Sequence, residues 1–181
     1  MASHIASLIM EAMNAECCQN FAGPKHTLVD FHRMMTRLVE MEDSQYSYRN
    51  VLAAYNSGGI WAGICVAYDG GKLHQLRRRF YEAALEAFGI DYTGMTDETE
   101  DGEFYIDSLA VSSNFRGKGI ASQLLQATIE RGAELGIPTV GLLVDKGNPK
   151  AEALYQRLGF VYVNDSTWGG HPMRHLQYKH D

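Results

Sequence analysis

Cysteine is scarce: only 3 occur in the 181 residues, two of them adjacent (Cys17, Cys18), too few for the disulfide framework of a small secreted domain. They fit a reducing cytoplasm, and no His or Asp spacing beside Cys17 and Cys18 marks a nucleophile, so both are expected to be structural. Long apolar runs are missing as well, and nothing approaches the ~18–20 residues that a bilayer crossing needs. The opening MASHIASLIMEAM carries no Lys or Arg ahead of its apolar stretch, and Glu11 interrupts that stretch, which makes a poor signal peptide. No basic stripe stands out for displacing counterions from nucleic acid. The 7 histidines are scattered without metal-ligand spacing, so no metal is expected. Repeats, low-complexity tracts and linkers are absent too. What is present is 45% hydrophobic and 21% charged residues, with 10 tyrosines, 7 phenylalanines and 2 tryptophans. That is a globular composition, with material for one domain over residues 1–181 and one sizeable core.

The net charge of −6 is concentrated. Residues 91–107 hold Asp91, Asp97, Glu98, Glu100, Asp101, Glu103 and Asp107 and no Lys or Arg, while acids and bases nearly balance elsewhere. Two readings follow: a solvated surface loop, or a local field that concentrates a cationic partner.

Apolar spacing predicts a helix over 3–16 and a second from Leu28 through Leu38, separated by Gly23-Pro24. Residues 49–55 and 60–68 read as a hairpin turning at Asn56-Ser57-Gly58-Gly59. A helix from Leu73 to Phe88 is closed by Gly89. The acidic stretch 91–103 is loop-like, and a strand follows over 104–111. A helix is expected over about 119–135, a buried strand over 139–144, and a helix opened by Asn148-Pro149 and closed by Gly159. Strands over 160–165 and 172–178 flank a turn at Trp168-Gly169-Gly170. His171 and His175 share a strand face, for packing or edge polarity. The pattern is a mixed α/β domain.

The segment after strand 104–111 reads Ser112-Ser113-Asn114-Phe115-Arg116-Gly117-Lys118-Gly119-Ile120-Ala121. A helix N-terminus carries roughly half a positive charge and favours acids, yet here it meets Arg116 and Lys118 and no acid in the first turn. Each cation is unfavourable there by roughly 0.3–1 kcal/mol, unless an anion sits between. Gly117 and Gly119 let backbone amides approach such an anion, with a pyrophosphate the natural candidate. The alternative is a glycine-rich turn with two solvated bases. A Walker loop is excluded because G-x-x-x-x-G-K-[ST] is absent. A dinucleotide fingerprint, and with it an oxidoreductase, is disfavoured because Ser122 stands where a third glycine belongs and no second strand–helix–strand unit follows.

The run Leu109-Ala110-Val111 with Arg116-Gly117-Lys118-Gly119-Ile120-Ala121 resembles motif A, [QR]-x-x-G-x-[GA], of the GNAT superfamily of acetyl-CoA-dependent N-acetyltransferases. The run Asn148-Pro149-Lys150-Ala151-Glu152-Ala153-Leu154-Tyr155-Gln156-Arg157-Leu158-Gly159-Phe160 resembles that family's motif B. The likeness covers residues 104–178 well and the N-terminal half in outline. It implies an α/β fold with a mixed, mostly antiparallel sheet flanked by helices and splayed at an acetyl-CoA site. It further implies that main-chain groups of Leu109 and Val111 pair with the pantetheine arm. Amides from Arg116 to Ala121 (Arg116, Gly117, Lys118, Gly119, Ile120, Ala121) would cradle the pyrophosphate, and Asn148 would meet the cofactor arm or serve as a plain N-cap. Tyr155 would protonate the departing thiolate, its alternative being a packed core tyrosine on a face with Ala151 and Leu158.

Acyl transfer to an amine also needs a base. Alternation puts Tyr105, Asp107, Leu109 and Val111 on one face, unless a bulge shifts the register. Asp107 is the best-placed carboxylate, with Glu103 and Tyr105 in reserve and a solvated edge acid as the bland reading. Two features depart from the family pattern. The chain starts almost inside its first helix, so a leading strand is missing or the start lies too far downstream, and residues 72–103 intervene where a tight turn is usual. The resemblance implies direct acetyl transfer from acetyl-CoA to a small-molecule or peptide amine, cationic under the steering reading, without nucleic-acid or membrane partners. A non-catalytic acyl-CoA sensor on the same fold is the rival. The sequence is silent on the acceptor, on acetyl against longer acyl groups and on oligomeric state, so a homodimer stays open.

Overall fold

The computed structural model describes residues 1–181. Its first apolar stretch forms two helices rather than the predicted one, α1 (Ala2–Met13) and α2 (Ala15–Ala22). The break falls at Asn14, whose φ is 72° and whose side chain accepts from Cys17 N at 2.9 Å. Asparagine tolerates the left-handed region and is a strong N-cap, which periodicity does not register. A capping box between Thr27 and Asp30 opens α3 (Leu28–Glu40). The hairpin of β1 (Val51–Tyr55) and β2 (Trp61–Asp69) forms as expected, with Asn56 Oδ1 accepting from Gly58 N and Ile60 N in the turn. Helix α4 (Leu73–Phe88) ends on Gly89 at φ 69°, the left-handed stop its position predicted.

After the acidic segment come β3 (Glu103–Val111), α5 (Ile120–Glu134), β4 (Thr139–Asp145) and α6 (Pro149–Arg157), then β5 (Val161–Trp168) and β6 (His171–Lys179). The six strands order as β1-β2-β3-β4-β6-β5, and only β3 and β4 run parallel. This is the mixed, mostly antiparallel sheet flanked by helices that the sequence predicted. One face is covered by α1–α4, which bring Ile9, Phe31, Leu38 and Phe80 into a core with Ile64 and Val66. The other is covered by α5 and α6, with Leu125, Ile129 and Leu154 in a core with Cys65, Ile106 and Leu142. Burying each such large apolar side chain contributes roughly 1.5–3 kcal/mol. No helix is long and apolar enough to cross a membrane.

Strand β3 positions everything that follows. Against β2 it pairs Ile106 with Ala67 and Ser108 with Val66, so Asp107 is an extra residue, a β-bulge. Ile106 and Leu109 then both belong to the α5 side, whereas Tyr105 and Ala110 belong to the opposite side. The predicted single face of Tyr105, Asp107, Leu109 and Val111 is therefore corrected. The extra residue reverses the alternation halfway along the strand. Pairing of β3 to β4 runs from Glu103↔Thr139 to Ile106↔Leu142 and stops there, although β3 continues to Val111 and β4 to Asp145. The two strands part at the bulge, and the gap is the mouth of a cleft.

Candidate active site

One end of the cleft is the uncapped start of a helix. Helix α5 starts from Gly119 at φ 77° with no side-chain cap and no acid in its first turn. The first backbone bond into it is Gln123 N to Gly119 O, and the amides of residues 117–122 have no backbone acceptor. Gly117 also has positive φ, 73°, and a Cβ at either glycine would meet no atom within 4 Å, so the space above these amides is open. Unpaired N–H groups at a helix N-terminus are a ready site for phosphate oxygens. Arg116 and Lys118 are exposed beside it. The Arg116 guanidinium reaches back to the Val111 carbonyl at 3.1 Å, and Lys118 lies 5.3 Å from the Phe115 ring centre.

From this helix start a groove of about 430 Å³ runs between β3 and α6, lined by Leu109, Val111, Arg116, Ala121, Asn148 and Tyr155. Gly117, Lys118, Gly119 and Ile120 form the turn and first helical residue beside it. Ser112 N donates to Ala62 O at 2.8 Å, so that parity of β3 points to β2. Leu109 and Val111 therefore turn their N–H and C=O groups toward the gap as a strand edge without a partner strand, the Val111 carbonyl being taken by Arg116. Asn148 is a genuine N-cap, its Oδ1 accepting from Ala151 N at 3.2 Å, and it lines the groove as well. Both readings of this residue hold in the geometry.

The groove opens into a second cleft of about 250 Å³ on the other side of the gap, with Leu109, Asn148, Ala151 and Tyr155 shared between the two. Asp107 lines it, half-buried at the bulge, together with Tyr105 and Ser108. The Tyr68 hydroxyl donates to Asp107 Oδ2 at 3.0 Å, Gln45 Nε2 at 3.4 Å, and Ser108 Oγ to Oδ1 at 2.9 Å. No cation contacts this carboxylate, and burial holds it above the usual aspartate range against the lowering effect of those bonds. Tyr155 packs edge-on to Phe160 at 6.0 Å, on the face it shares with Ala151 and Leu158. Burial, with Cys65 behind it, pushes its phenol up to about 12.

The two reserve residues fare differently. Glu103 lies inside β3 rather than before it, and it is 1% exposed. Its carboxylate accepts from Thr99 Oγ1 at 2.7 Å and Gln177 Nε2 at 2.7 Å, with His175 Nε2 at 2.6 Å. A Cβ at Gly141 would overlap it. It does not reach the cleft, and His175 is a buried partner of Glu103 rather than edge polarity. Tyr105 is buried, edge-on to Tyr68 at 5.8 Å, with its phenol pushed well up by burial.

The far wall comes from residues the motifs did not mark. Met13 and Asn14 at the α1–α2 break, Cys17 on α2, and Trp168 and Met173 from the β5–β6 hairpin all line the cleft. Trp168 is anchored on Phe21, ring centres 5.7 Å apart. Cys17 is thus more than structural filling, although burial raises its thiol to about 12. The acidic segment is neither a solvated loop nor a uniform field. Asp91, Asp97, Glu100 and Asp101 are exposed, but Glu98 and Thr99 are buried over the sheet, where Glu98 Oε2 takes Arg77 Nη2 at 2.6 Å.

The cleft thus combines uncapped amides at a helix start, an exposed strand edge, and a carboxylate and a phenol in its lining. The acetyltransferase (GNAT) family model matches residues 28–160, and the chain belongs to that family. It is 36% identical over 78 residues to mycothiol acetyltransferase of Propionibacterium freudenreichii subsp. shermanii, covering 42% of this chain and 24% of that protein. It is 27% identical over 94 residues to spermine/spermidine N(1)-acetyltransferase of Bacillus subtilis, covering 50% of this chain and 62% of that protein. The chain thus spans less than two thirds of either curated relative. Among solved structures, an acetyltransferase at 26% identity superposes with a TM-score of 0.81, covering 98% of this chain and 94% of the other.

Proposed function

We propose that the chain transfers an acetyl group from acetyl-CoA directly to a primary amine, with both bound at once. The observation that carries this reading is the continuity of the cleft, from unpaired amides over 117–122 to Asp107 and Tyr155. The residues fit the cosubstrate: open space above Gly117 and Gly119 suits a pyrophosphate, and the strand edge at Leu109 and Val111, which has no partner strand, suits an amide-bearing arm. Acetyl-CoA supplies an activated thioester carbonyl. The amides of Gly117 to Ala121 hold its phosphates, with Arg116 and Lys118 adding charge. Leu109 and Val111 orient the arm as an added strand, and Asn148 contacts it. Asp107 takes the proton of the incoming ammonium, and Tyr155 stays protonated near neutral pH and donates to the departing sulfur.

The acceptor end supports one class of amine. Met13, Cys17, Trp168, Met173 and Leu143 line a cleft that also holds two carboxylates, Asp107 and Asp145, the second beside His171. The lining suits a primary amine on a partly apolar body, with Asp145 available to a second positive group.

Thermal unfolding with acetyl-CoA, CoA, NAD and ATP tests the cofactor half. Saturation at a hundred times the dissociation constant adds about 2.7 kcal/mol, a shift of roughly 5–11 °C at this size. We expect it with the CoA species alone; an equal or larger shift with NAD would sink the reading. Thiol release with phenethylamine, spermidine and a short peptide then tests the acceptor half. A response to acetyl-CoA without turnover of any amine would leave the sensor reading in its place.

A further inference from the structure

The acidic segment before β3 does more than cover the sheet. Glu98 is 7% exposed and Tyr68 2% exposed, and both are held against the proposed base. The Tyr68 oxygen is 3.0 Å from Asp107 Oδ2 and 3.5 Å from Glu98 Oε1, the second at the outer limit of a hydrogen bond. A phenol has one proton, so Tyr68 donates to one carboxylate at a time and accepts from the other only when that one is protonated. Beyond Glu98 the contacts continue outward. Arg77, 1% exposed, binds Glu98 at 2.6 Å and Asp97 at 3.4 Å, and exposed Asp97 meets His74 Nε2 at 2.8 Å. Four elements contribute: β2, the bulge of β3, the acidic segment and α4.

We propose that Tyr68 and Glu98 form a proton relay that carries the amine's proton from Asp107 to the solvent side of the acidic segment. The relay rests on the reading of Asp107 as base. The amine N–H bond breaks as an O–H bond forms on Asp107. That proton passes to the Tyr68 oxygen while the Tyr68 proton moves to Glu98 Oε1. Asp107 regains its charge, Tyr68 is restored, and neutral Glu98 returns its proton to water through its 7% exposed edge, since Arg77 has no lone pair to pass it on. No redox change or further reactant is involved.

The surroundings suit this task. The charged and titratable groups facing Glu98 are Arg77 from α4, Tyr68 from β2, Tyr105 and Asp107 from β3, and Tyr46 from the segment before β1. Burial first, then the nearby Asp107, push Glu98 up to about 7, against the lowering pull of Arg77. A group titrating near neutral both accepts and returns a proton readily. A purely structural salt bridge between Arg77 and Glu98 would need neither the contact to Tyr68 nor that position on the scale.

The test compares Asp107→Asn, Tyr68→Phe, Glu98→Gln and Glu98→Asp, each first checked for folding and for its acetyl-CoA thermal shift. Turnover is measured with the fastest of phenethylamine, spermidine and a short peptide, as a function of pH and of D₂O fraction. We expect Glu98→Gln and Tyr68→Phe each to lower kcat about 10- to 100-fold. Their acid limb should move, and a wild-type proton inventory curved by two moving protons should straighten. Glu98→Asp should recover part of the rate. Loss of turnover in Asp107→Asn with wild-type kcat and pH profile in folded Tyr68→Phe overturns the relay and leaves the base standing. Retained turnover in Asp107→Asn overturns the base and the relay together. Should Glu98→Gln fail to fold, Tyr68→Phe still decides the matter, because it removes one oxygen and no charge.

Discussion

The hydroxyl of Tyr68 and the carboxylate of Asp107 meet at 3.0 Å across β2 and β3, next to the point where the register of that pair slips by one residue. Without the bulge, Asp107 would follow regular alternation; with it, Asp107 and Ser108 both line the cleft. A local fault in a ladder thus aims a carboxylate at the gap where β3 and β4 part. The first prediction rests on this residue. Asp107→Asn keeps shape but cannot take a proton, so kcat falls about 10²- to 10³-fold. The acetyl-CoA thermal shift stays at the wild-type value, and a folded variant with unchanged kcat rules the base out.

Tyr155 yields a prediction about pH. Burial pushes its phenol up to about 12, so it remains protonated from pH 6 to 10 and contributes no alkaline limb in that window. Tyr155→Phe should lower kcat about 10- to 100-fold at every pH in the window, without changing the profile's shape. A variant that loses activity only above pH 9 contradicts the assignment of the proton to Tyr155.

At the start of α5, Gly119 has φ 77° with no atom near a prospective Cβ, so Gly119→Ala is a test of backbone conformation rather than of space. Holding alanine there costs roughly 1–2 kcal/mol. The amides of 117–122 should relax away from their arrangement, raising KM for acetyl-CoA severalfold while KM for the amine holds. Initial-rate kinetics varying each substrate in turn distinguish this from a general loss of stability.

Glu98 predicts an inverted stability profile. Its folded pKa lies above its unfolded value, so the native state binds the proton more tightly. The contribution is complete below the ordinary glutamate range and is lost as pH rises through about 7. Between pH 5 and pH 8 the loss is on the order of 2–3 kcal/mol. Urea unfolding at pH 5 and pH 8 should show this fall in the wild type and a flatter response in Glu98→Gln. Parallel profiles for the two proteins would show that Glu98 is ionised in both states.

The glycine-rich end of the candidate site was legible because its pattern is local. Gly117, Gly119, Arg116 and the uncapped start of α5 lie within a few residues of one another, and helix physics makes their joint meaning readable from order alone. Asn148 and Pro149 likewise announce a helix start. The acceptor half is assembled from distant segments. Trp168 reaches the cleft from a hairpin tip and Met13 from the end of α1, and each reads as an ordinary core residue. Tyr68 sits in a strand buried along nearly its whole length, where nothing in the pattern separates a functional phenol from packing.

The sequence alone determined most of the helices and strands, the turn glycines and the uncapped start of α5, because each follows from interactions a few residues apart. Tertiary structure decided the bulge at Asp107 and the burial of Glu98 and Glu103 in a segment of seven acids. Those outcomes depend on which partners arrive from elsewhere. Arg77 draws Glu98 inward, and Gly141 leaves room for the Glu103 carboxylate. Desolvating a carboxylate is tolerable only where such partners wait, and their positions are a property of the folded sheet rather than of any stretch of chain.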